Sequence, residues 1–241
     1  MSQGKQSKHK VHAVWVGAAV FAGGLCGGQR AARADQRDFP FTYEWRQTHR
    51  GETEFEAKNF YSGGALVQQF EVEHGISDRL SVSPYVVFER SRGERYRFHE
   101  LKLEARYQLG SYQRDKLLPG AYLEYARERG GQDELEGKLI LSRYGSDSSN
   151  FSINLTTERK LAGGAEFERG YSLGYARDIG KSSLRGGGEL IHNLSDNLAN
   201  AGPVASYTLG PSVYLTAGYA FALNKRRANR DQLRFNFEYE F

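Results

Sequence analysis

The sequence predicts an all-β protein, an antiparallel transmembrane β-barrel of about twelve strands, and three observations carry that prediction. The chain ends on an unbroken alternation: Leu233, Phe235, Phe237, Tyr239 and Phe241 fall on one face of a strand, and Arg234, Asn236, Glu238 and Glu240 on the other. The same alternation recurs along the chain in stretches of roughly the nine to eleven residues that cross a bilayer with tilt. Mean hydropathy is nevertheless low, −0.64, although Phe, Trp and Tyr make up 13% of residues. A barrel reconciles these facts, because only every second residue of each strand faces lipid.

The N-terminus reads as a leader. Lys5, Lys8 and Lys10 precede the apolar run 13–22, and Ala32-Arg33-Ala34 fits the small-residue cleavage pattern. Residues 1–34 are therefore expected to be a secretory signal peptide, cut before Asp35, with 35–241 forming the barrel. The apolar run is too short for a spanning helix, which needs about 20 residues. Leu25 before Cys26 argues against lipidation. The whole chain carries 33 basic and 29 acidic side chains. Losing Lys5, Lys8, Lys10, Arg30 and Arg33 leaves 28 against 29, a net charge of −1. The basic balance thus belongs to the leader and gives no reason to expect nucleic acid as a partner. The single cysteine leaves with it, so no disulfide framework is expected.

Residues 35–51 are expected to be a periplasmic or lumenal lead-in, since Pro40 weakens 39–45 as a paired strand and bacterial barrels have even strand numbers. Twelve strands are then expected near 52–60, 65–74, 80–90, 97–109, 117–127, 134–143, 150–159, 167–177, 183–192, 202–209, 213–223 and 232–241. The first is the least apolar. Elsewhere the faces separate cleanly: Leu101, Leu103, Ala105 and Tyr107 oppose Glu100, Lys102, Glu104 and Arg106. Gly75-Ile76-Ser77-Asp78, Gly110-Ser111, Gly145-Ser146-Asp147, Asp178-Ile179-Gly180 and Gly210-Pro211-Ser212 are turn signals. They are assigned to the periplasmic side with the C-terminus. The opposite set, which includes 91–95, 129–133, 160–166, 193–201 and 224–230, faces outward, and no loop in it is long enough to fold into a plug. Gly186-Gly187-Gly188 inside a strand marks a bend or a close backbone approach.

Two resemblances follow from these residues. The terminal Phe241 with Phe235, Phe237 and Tyr239 before it resembles the C-terminal assembly signal of bacterial outer-membrane barrels. That implies an outer-membrane location, with the barrel-assembly machinery and outer-membrane lipids as partners. Glu73-His74-Gly75-Ile76-Ser77-Asp78-Arg79-Leu80, with Thr42-Tyr43-Glu44 and Gly51 to Glu56, is similar to segments of porin-like proteins linked to the phenol meta-cleavage pathway and their uncharacterised relatives. This similarity covers about a fifth of the chain and implies a barrel, without transferring a substrate.

The inward face is the first candidate site. Glu100, Lys102, Glu104 and Arg106 face Glu124 on the next strand; Glu134, Glu136 and Lys138 follow. Glu71, Glu73, Arg234, Glu238 and Glu240 add to an acid-rich interior. Such a lining implies passive passage of small polar solutes or ions with a weak preference for cations. The alternative is a sealed structural or adhesive barrel, closed by ion pairs between strands. Eight strands are filled by their own side chains and sixteen leave a channel, so twelve decide nothing by size.

A lipid-acting enzyme would need His192, Ser195 and Asn or Asp nearby to converge. They crowd one strand end, where a polar turn is the simpler reading. No His and carboxylate spacing makes a metal site, and no cofactor is implied. Arg90, Arg92, Arg95, Arg127, Arg129, Lys225, Arg226, Arg227 and Arg230 belong to outer loops, where Arg forks suit lipopolysaccharide phosphates. If the terminal aromatic is the assembly signal, Phe241→Asp should lower the folded, membrane-inserted fraction several-fold. Fractionation and heat-shifted gel migration check this, and insertion at the parent yield would overturn it.

Overall fold

The computed structural model describes residues 37–114, 116–224 and 230–241. The expected signal peptide and its cleavage point lie outside these residues. Twelve strands follow one another in chain order. The first six are β1 (Thr53–Ser62), β2 (Ala65–Gly75), β3 (Leu80–Arg90), β4 (Arg97–Gln108), β5 (Leu118–Glu128) and β6 (Glu134–Tyr144). The others are β7 (Ser149–Lys160), β8 (Glu168–Asp178), β9 (Leu184–Asn193), β10 (Leu198–Leu209), β11 (Val213–Ala222) and β12 (Gln232–Glu240). Each pairs antiparallel with its neighbours in sequence, and β1 pairs with β12 to close the barrel. Closure is the physical requirement here, because a strand edge in hydrocarbon would leave N–H and C=O groups unsatisfied.

Strand limits match the sequence expectation within two residues, except at β10. The segment 193–201 was expected to be an outer loop, but β10 begins at Leu198, and Leu198 to Ala201 pair with Asn193 to Leu190. Ala199, Asn200 and Ala201 are short and turn-like in composition, which hides the strand; pairing with β9 overrides local propensity. The weakly apolar β1 is a full strand because both its edges are paired. Its polar residues Glu54, Glu56 and Lys58 simply face inward and are buried.

The register separates the two faces as the alternation requires. Leu103 is 55% exposed on the lipid face, whereas Glu104 beside it is fully buried in the lumen. Leu101, Leu123, Leu139, Leu155, Phe221 and Phe235 share the outer face. Aromatic side chains gather toward its two rims. Tyr61, Phe88, Tyr96 and Phe221 lie at the end away from the C-terminus, with Phe88 and Tyr96 stacked 5.4 Å apart. Tyr107, Tyr175, Tyr207, Tyr239 and Phe241 mark the other rim, the girdle arrangement of transmembrane barrels. Gly187 and Gly202 allow close backbone approach: a Cβ at either would collide with a carbonyl of the adjacent strand.

A charge on the lipid face near the midplane costs about 2–4 kcal/mol. Leu103→Arg should therefore destabilise the barrel by that order, and Glu104→Gln by much less. Urea unfolding in lipid vesicles measures both, and equal losses would mean that the register is displaced by one residue.

Candidate functional site

Residues 37–49 enter the lumen. They form no strand; the segment touches the ladder only at its end, through a bridge between Arg50 and Gly75. Phe39, Thr42, Glu44, Trp45, Gln47 and Thr48 are buried. The lead-in is therefore lumenal. An unobstructed narrow pore through the whole barrel is not what the structure contains, because this segment fills the half of the lumen nearer the termini. The room comes from the walls. Inward positions there carry Ser142, Ser152, Gly174, Ala176, Ser206, Thr216 and Gly218, too small to fill a twelve-stranded interior by themselves. A Cβ on Gly174 would lie 2.8 Å from the Phe39 ring, and one on Gly218 would lie 2.7 Å from Cγ of Pro40.

Wall side chains take up the segment's backbone groups. Glu189 accepts the N–H groups of Phe41 and Thr42 at 3.2 and 2.7 Å. Asn154 accepts from Tyr43 N–H and donates to its carbonyl, at 2.6 and 2.9 Å. Ser142 accepts from Trp45 N–H at 2.9 Å, and Arg234 donates to the Pro40 carbonyl at 2.8 Å. Asp38 is a further anchor, itself buried. It accepts from Arg185 at 2.6 Å, Asn150 at 2.9 Å and Ser206 at 3.0 Å. Buried backbone polar groups need such partners; strands β6, β7, β9 and β12 provide those named here.

Charge is balanced in the same way. Arg37 pairs with Glu56 at 2.9 Å and Glu73 at 3.0 Å, and Arg106 reaches Glu73 at 3.2 Å while donating to the carbonyls of Glu44 and Arg46. Lys58 bridges Glu56 and Glu71, at 2.6 Å each. The Tyr43 ring lies within 6 Å of four cationic groups, on Arg37, Lys58, Arg106 and Lys138, and its hydroxyl donates to Glu104 at 3.3 Å. A ring face is attractive to cations at this range.

Above the segment lies a cavity of about 370 Å³. Phe41 and Tyr43 are part of its lining, which continues to the strand ends at Glu168, Asn193 and Gln232. Its wall carries a row of carboxylates that the pairing register places directly opposite one another: Glu104 with Glu124, Glu124 with Glu136, Glu136 with Glu158, and Glu158 with Glu168. Because barrel strands are tilted, a row perpendicular to them climbs the lumen. Exposure follows the climb: the side chains of Glu104, Glu124 and Glu136 are 0%, 2% and 14% accessible, and Glu168 is exposed at the mouth. Lys102 offsets Glu124 at 2.8 Å, and Lys138 pairs with Glu136 at 2.5 Å while lying 3.8 Å from the centre of the Tyr122 ring. Tyr85 and Tyr122 also donate to Glu124.

Of the residues picked from sequence, Lys102, Glu124, Glu136, Lys138, His192 and Arg234 line this cavity. Glu104 lies at its buried lower edge, and Arg106 lies against the segment below. Glu100 pairs with Lys102 at 3.4 Å, and Glu134 sits at the mouth end of β6. Missing from that selection were Glu158, Glu168 and Glu189, and the anchors on residues 37–43. Glu158 and Glu168 are in phase with the inward face but stand at strand ends, where alternation is weakest as a signal. His192 and Ser195 do not come together: His192 lies 3.3 Å from the Tyr171 hydroxyl and 3.2 Å from Asn197, while Ser195 accepts the Arg169 N–H. Lys225, Arg226 and Arg227 lie outside the described residues.

No family model and no curated protein sequence matches the chain. Solved structures do. An outer membrane channel from Pseudomonas putida F1 is 11% identical, with TM-score 0.61 over 82% of this chain and 98% of that one. The KdgM porin in complex with disordered oligogalacturonate is 10% identical, with TM-score 0.59 over 78% and 99%. The NanC porin is 14% identical, with TM-score 0.54 over 77% and 98%. At such identities the likeness is one of fold. The chain is a closed twelve-stranded antiparallel barrel, the fold these outer-membrane channels share.

Trp45 offers a probe of the lumenal segment, because the only other tryptophan, Trp15, lies in the expected leader. Its 7% exposure predicts blue-shifted emission that acrylamide quenches poorly. Asp38→Ala would take one acceptor from Arg185, which keeps Asp178 and the Ser148 carbonyl, and would take the acceptor of the buried Asn150 amide, a loss of about 1–3 kcal/mol. Trp45 should then shift red and become several-fold more quenchable while the barrel stays folded; unchanged quenching would show that Asp38 is not an anchor.

Proposed function

We propose that this protein is an outer-membrane channel for small polar solutes and ions, weakly preferring cations, whose resting state is closed by residues 37–49. The observation that carries the reading is the row of carboxylates from Glu104 to Glu168. Like charges directly opposite in a sheet are destabilising, by an amount on the order of 0.2–1 kcal/mol per pair. Three successive oppositions, from Glu124 to Glu168, line a polar cavity, and they suit a path whose field enriches cations. Lys102 and Lys138 keep the preference modest. The porin-type fold of the structural neighbours supports the same reading. Outward-facing Arg90 and Arg127 at the mouth suit lipopolysaccharide phosphates.

The closing segment is held by side chains, so its departure leaves all twelve strand pairings intact. A second reading, a barrel sealed for good, draws on the same segment, because its anchors come from most of the way round the wall. Conductance separates the two. In planar bilayers the chain from Asp35 should show small, infrequent openings. A chain lacking residues 35–48, or carrying Gly174→Leu to displace Phe39, should conduct several-fold more. If such variants retain heat-shifted migration yet conduct no more than the parent, the barrel is sealed.

Selectivity tests the charge row itself. Glu136→Gln with Glu158→Gln should reduce the cation preference read from reversal potentials. The loss should be clearest at 0.1 M salt, where the Debye length is about 10 Å, and small at 1 M, where it is about 3 Å. A conducting parent that prefers anions would refute the assignment.

A further inference from the structure

The cavity has two unlike sides, a difference that ion passage does not use. Phe60 on β1 lines one of them. The Phe41 ring meets it edge-on with centroids 6.4 Å apart, and the Arg234 guanidinium lies 5.2 Å from its centre, so the ring is held in place. Each strand beside β1 sets an amide diagonally to that ring. On β2, Val67 stands opposite Phe60, and Gln69 is the next inward residue toward the lower half. On β12, Arg234 stands opposite, and Gln232 is the next inward residue toward the mouth. Diagonal neighbours lie about 7–8 Å apart, within reach of long side chains. Both amides line the cavity half-buried, and neither makes a side-chain hydrogen bond among the described residues. Each offers two N–H donors and an acceptor oxygen.

The far side is built differently. β7 stands half-way round the barrel from β1. With β8 it brings Thr156, Gly170 and Ser172 into the lining, below Glu158 and Glu168 at the mouth. These three residues are small, so a gap remains between their hydroxyls and the Phe60 ring. The charges of the lining balance, four carboxylates against two lysines and two arginines. They demand no net charge of an occupant. At about 370 Å³ the cavity falls in the size range of small-molecule sites, where a few polar groups orient a body packed on apolar surface.

We propose that this cavity binds a neutral pyranose sugar, its C–H face stacked on Phe60 and its ring-edge hydroxyls bonded to Gln69 and Gln232. The proposal deepens the channel reading by naming a polar solute class, and it rests on the cavity being open at the mouth. A pyranose is apolar on a face and polar round its edge, and each hydroxyl both donates and accepts. It therefore matches an aromatic ring flanked by amides. An ammonium would engage only the amide oxygens, and a carboxylate only the amide N–H groups. An open-chain polyol has the hydroxyls without the rigid face.

The test reads binding, not conduction, so a chain that conducts but binds no sugar would overturn this proposal and leave the channel reading standing. Methyl β-D-glucopyranoside is titrated against the refolded chain in lauryldimethylamine oxide, a detergent without sugar. Saturation-transfer NMR, with irradiation of the protein's aromatic protons, gives the dissociation constant; heat-denatured protein is the blank. The glucoside should bind, with the axial protons of one ring face saturated at least twofold more than those of the other. Sorbitol, an open-chain polyol, and methyl β-D-glucuronide, which adds a carboxylate, should each bind at least fivefold more weakly. Phe60→Leu should weaken the glucoside at least fivefold, and Phe60→Tyr should keep parent affinity. The double variant Gln69→Ala, Gln232→Ala should also lose at least fivefold. The Trp45 emission reports whether each variant keeps its lumenal segment, and the ligand series tests the proposal on the parent protein alone. Absence of transfer to the glucoside from the folded parent would overturn it. So would equal saturation of the two faces, sorbitol or the glucuronide binding as tightly as the glucoside, or a Phe60→Leu chain that keeps parent affinity.

Discussion

A twelve-stranded barrel encloses more space than small inward side chains can fill, and that constraint shapes the rest of this structure. Where the wall carries Ser142, Ser152, Gly174 and Gly218, something else has to occupy the lumen, and residues 37–49 do so. Where the wall carries Tyr85, Tyr122, Lys138 and Arg234, the lumen is narrowed by its own side chains and a cavity remains between them. Wall residue size thus sets where the barrel is closed and where it is hollow. The segment's charges follow from the same constraint. An interior holding Glu56, Glu71 and Glu73 needs cations close by, and Arg37 from the segment joins Lys58 and Arg106 from the wall in supplying them.

The fold was legible because a transmembrane barrel is written in a period-two code that lipid enforces on every strand. Leu101-Lys102-Leu103-Glu104 can be read in only one way once both faces are seen, and the register of β4 against β5 agrees with it. The code fails where lipid is not the judge. β10 starts at Leu198, near the mouth, where Ala199 to Ala201 contrast too little in polarity for alternation to register. The lumenal segment was opaque for a related reason. Its residues are buried by wall side chains from distant parts of the sequence, and no local pattern records a contact such as Asp38 with Arg185 or Tyr43 with Asn154.

A signal for the segment did exist, on the wall rather than in the segment. Inward positions of β7, β8, β10 and β11 mostly run small, whereas β1, β2 and β4 carry large charged residues inward. A barrel packed by its own side chains would have no reason for that asymmetry. Counting inward volume strand by strand, instead of polarity alone, points to an occupant lying against the small-residue wall. The charge row was half legible in the same sense. Glu104, Glu124 and Glu136 stood out mid-strand, and only the pairing register extends the row to Glu158 and Glu168.

The two halves of the lumen also differ in how their polar groups are satisfied, and this difference separates closure from the barrel's own integrity. Below, carboxylates such as Glu73 and Glu189 are engaged by the segment's guanidinium and N–H groups. Withdrawing the segment exposes them to water that enters in its place, so the loss is partly made good by solvent. The strand ladder is untouched, because the segment contributes a single bridge to it. Above, Glu124 and Glu136 are matched by lysines of the wall itself and do not depend on the segment. Arg234 joins the two halves: it holds the Pro40 carbonyl below and lines the cavity above. The floor of the cavity and the closure of the lumen therefore share residues: Phe41 and Tyr43 of the segment and Arg234 of the wall belong to both.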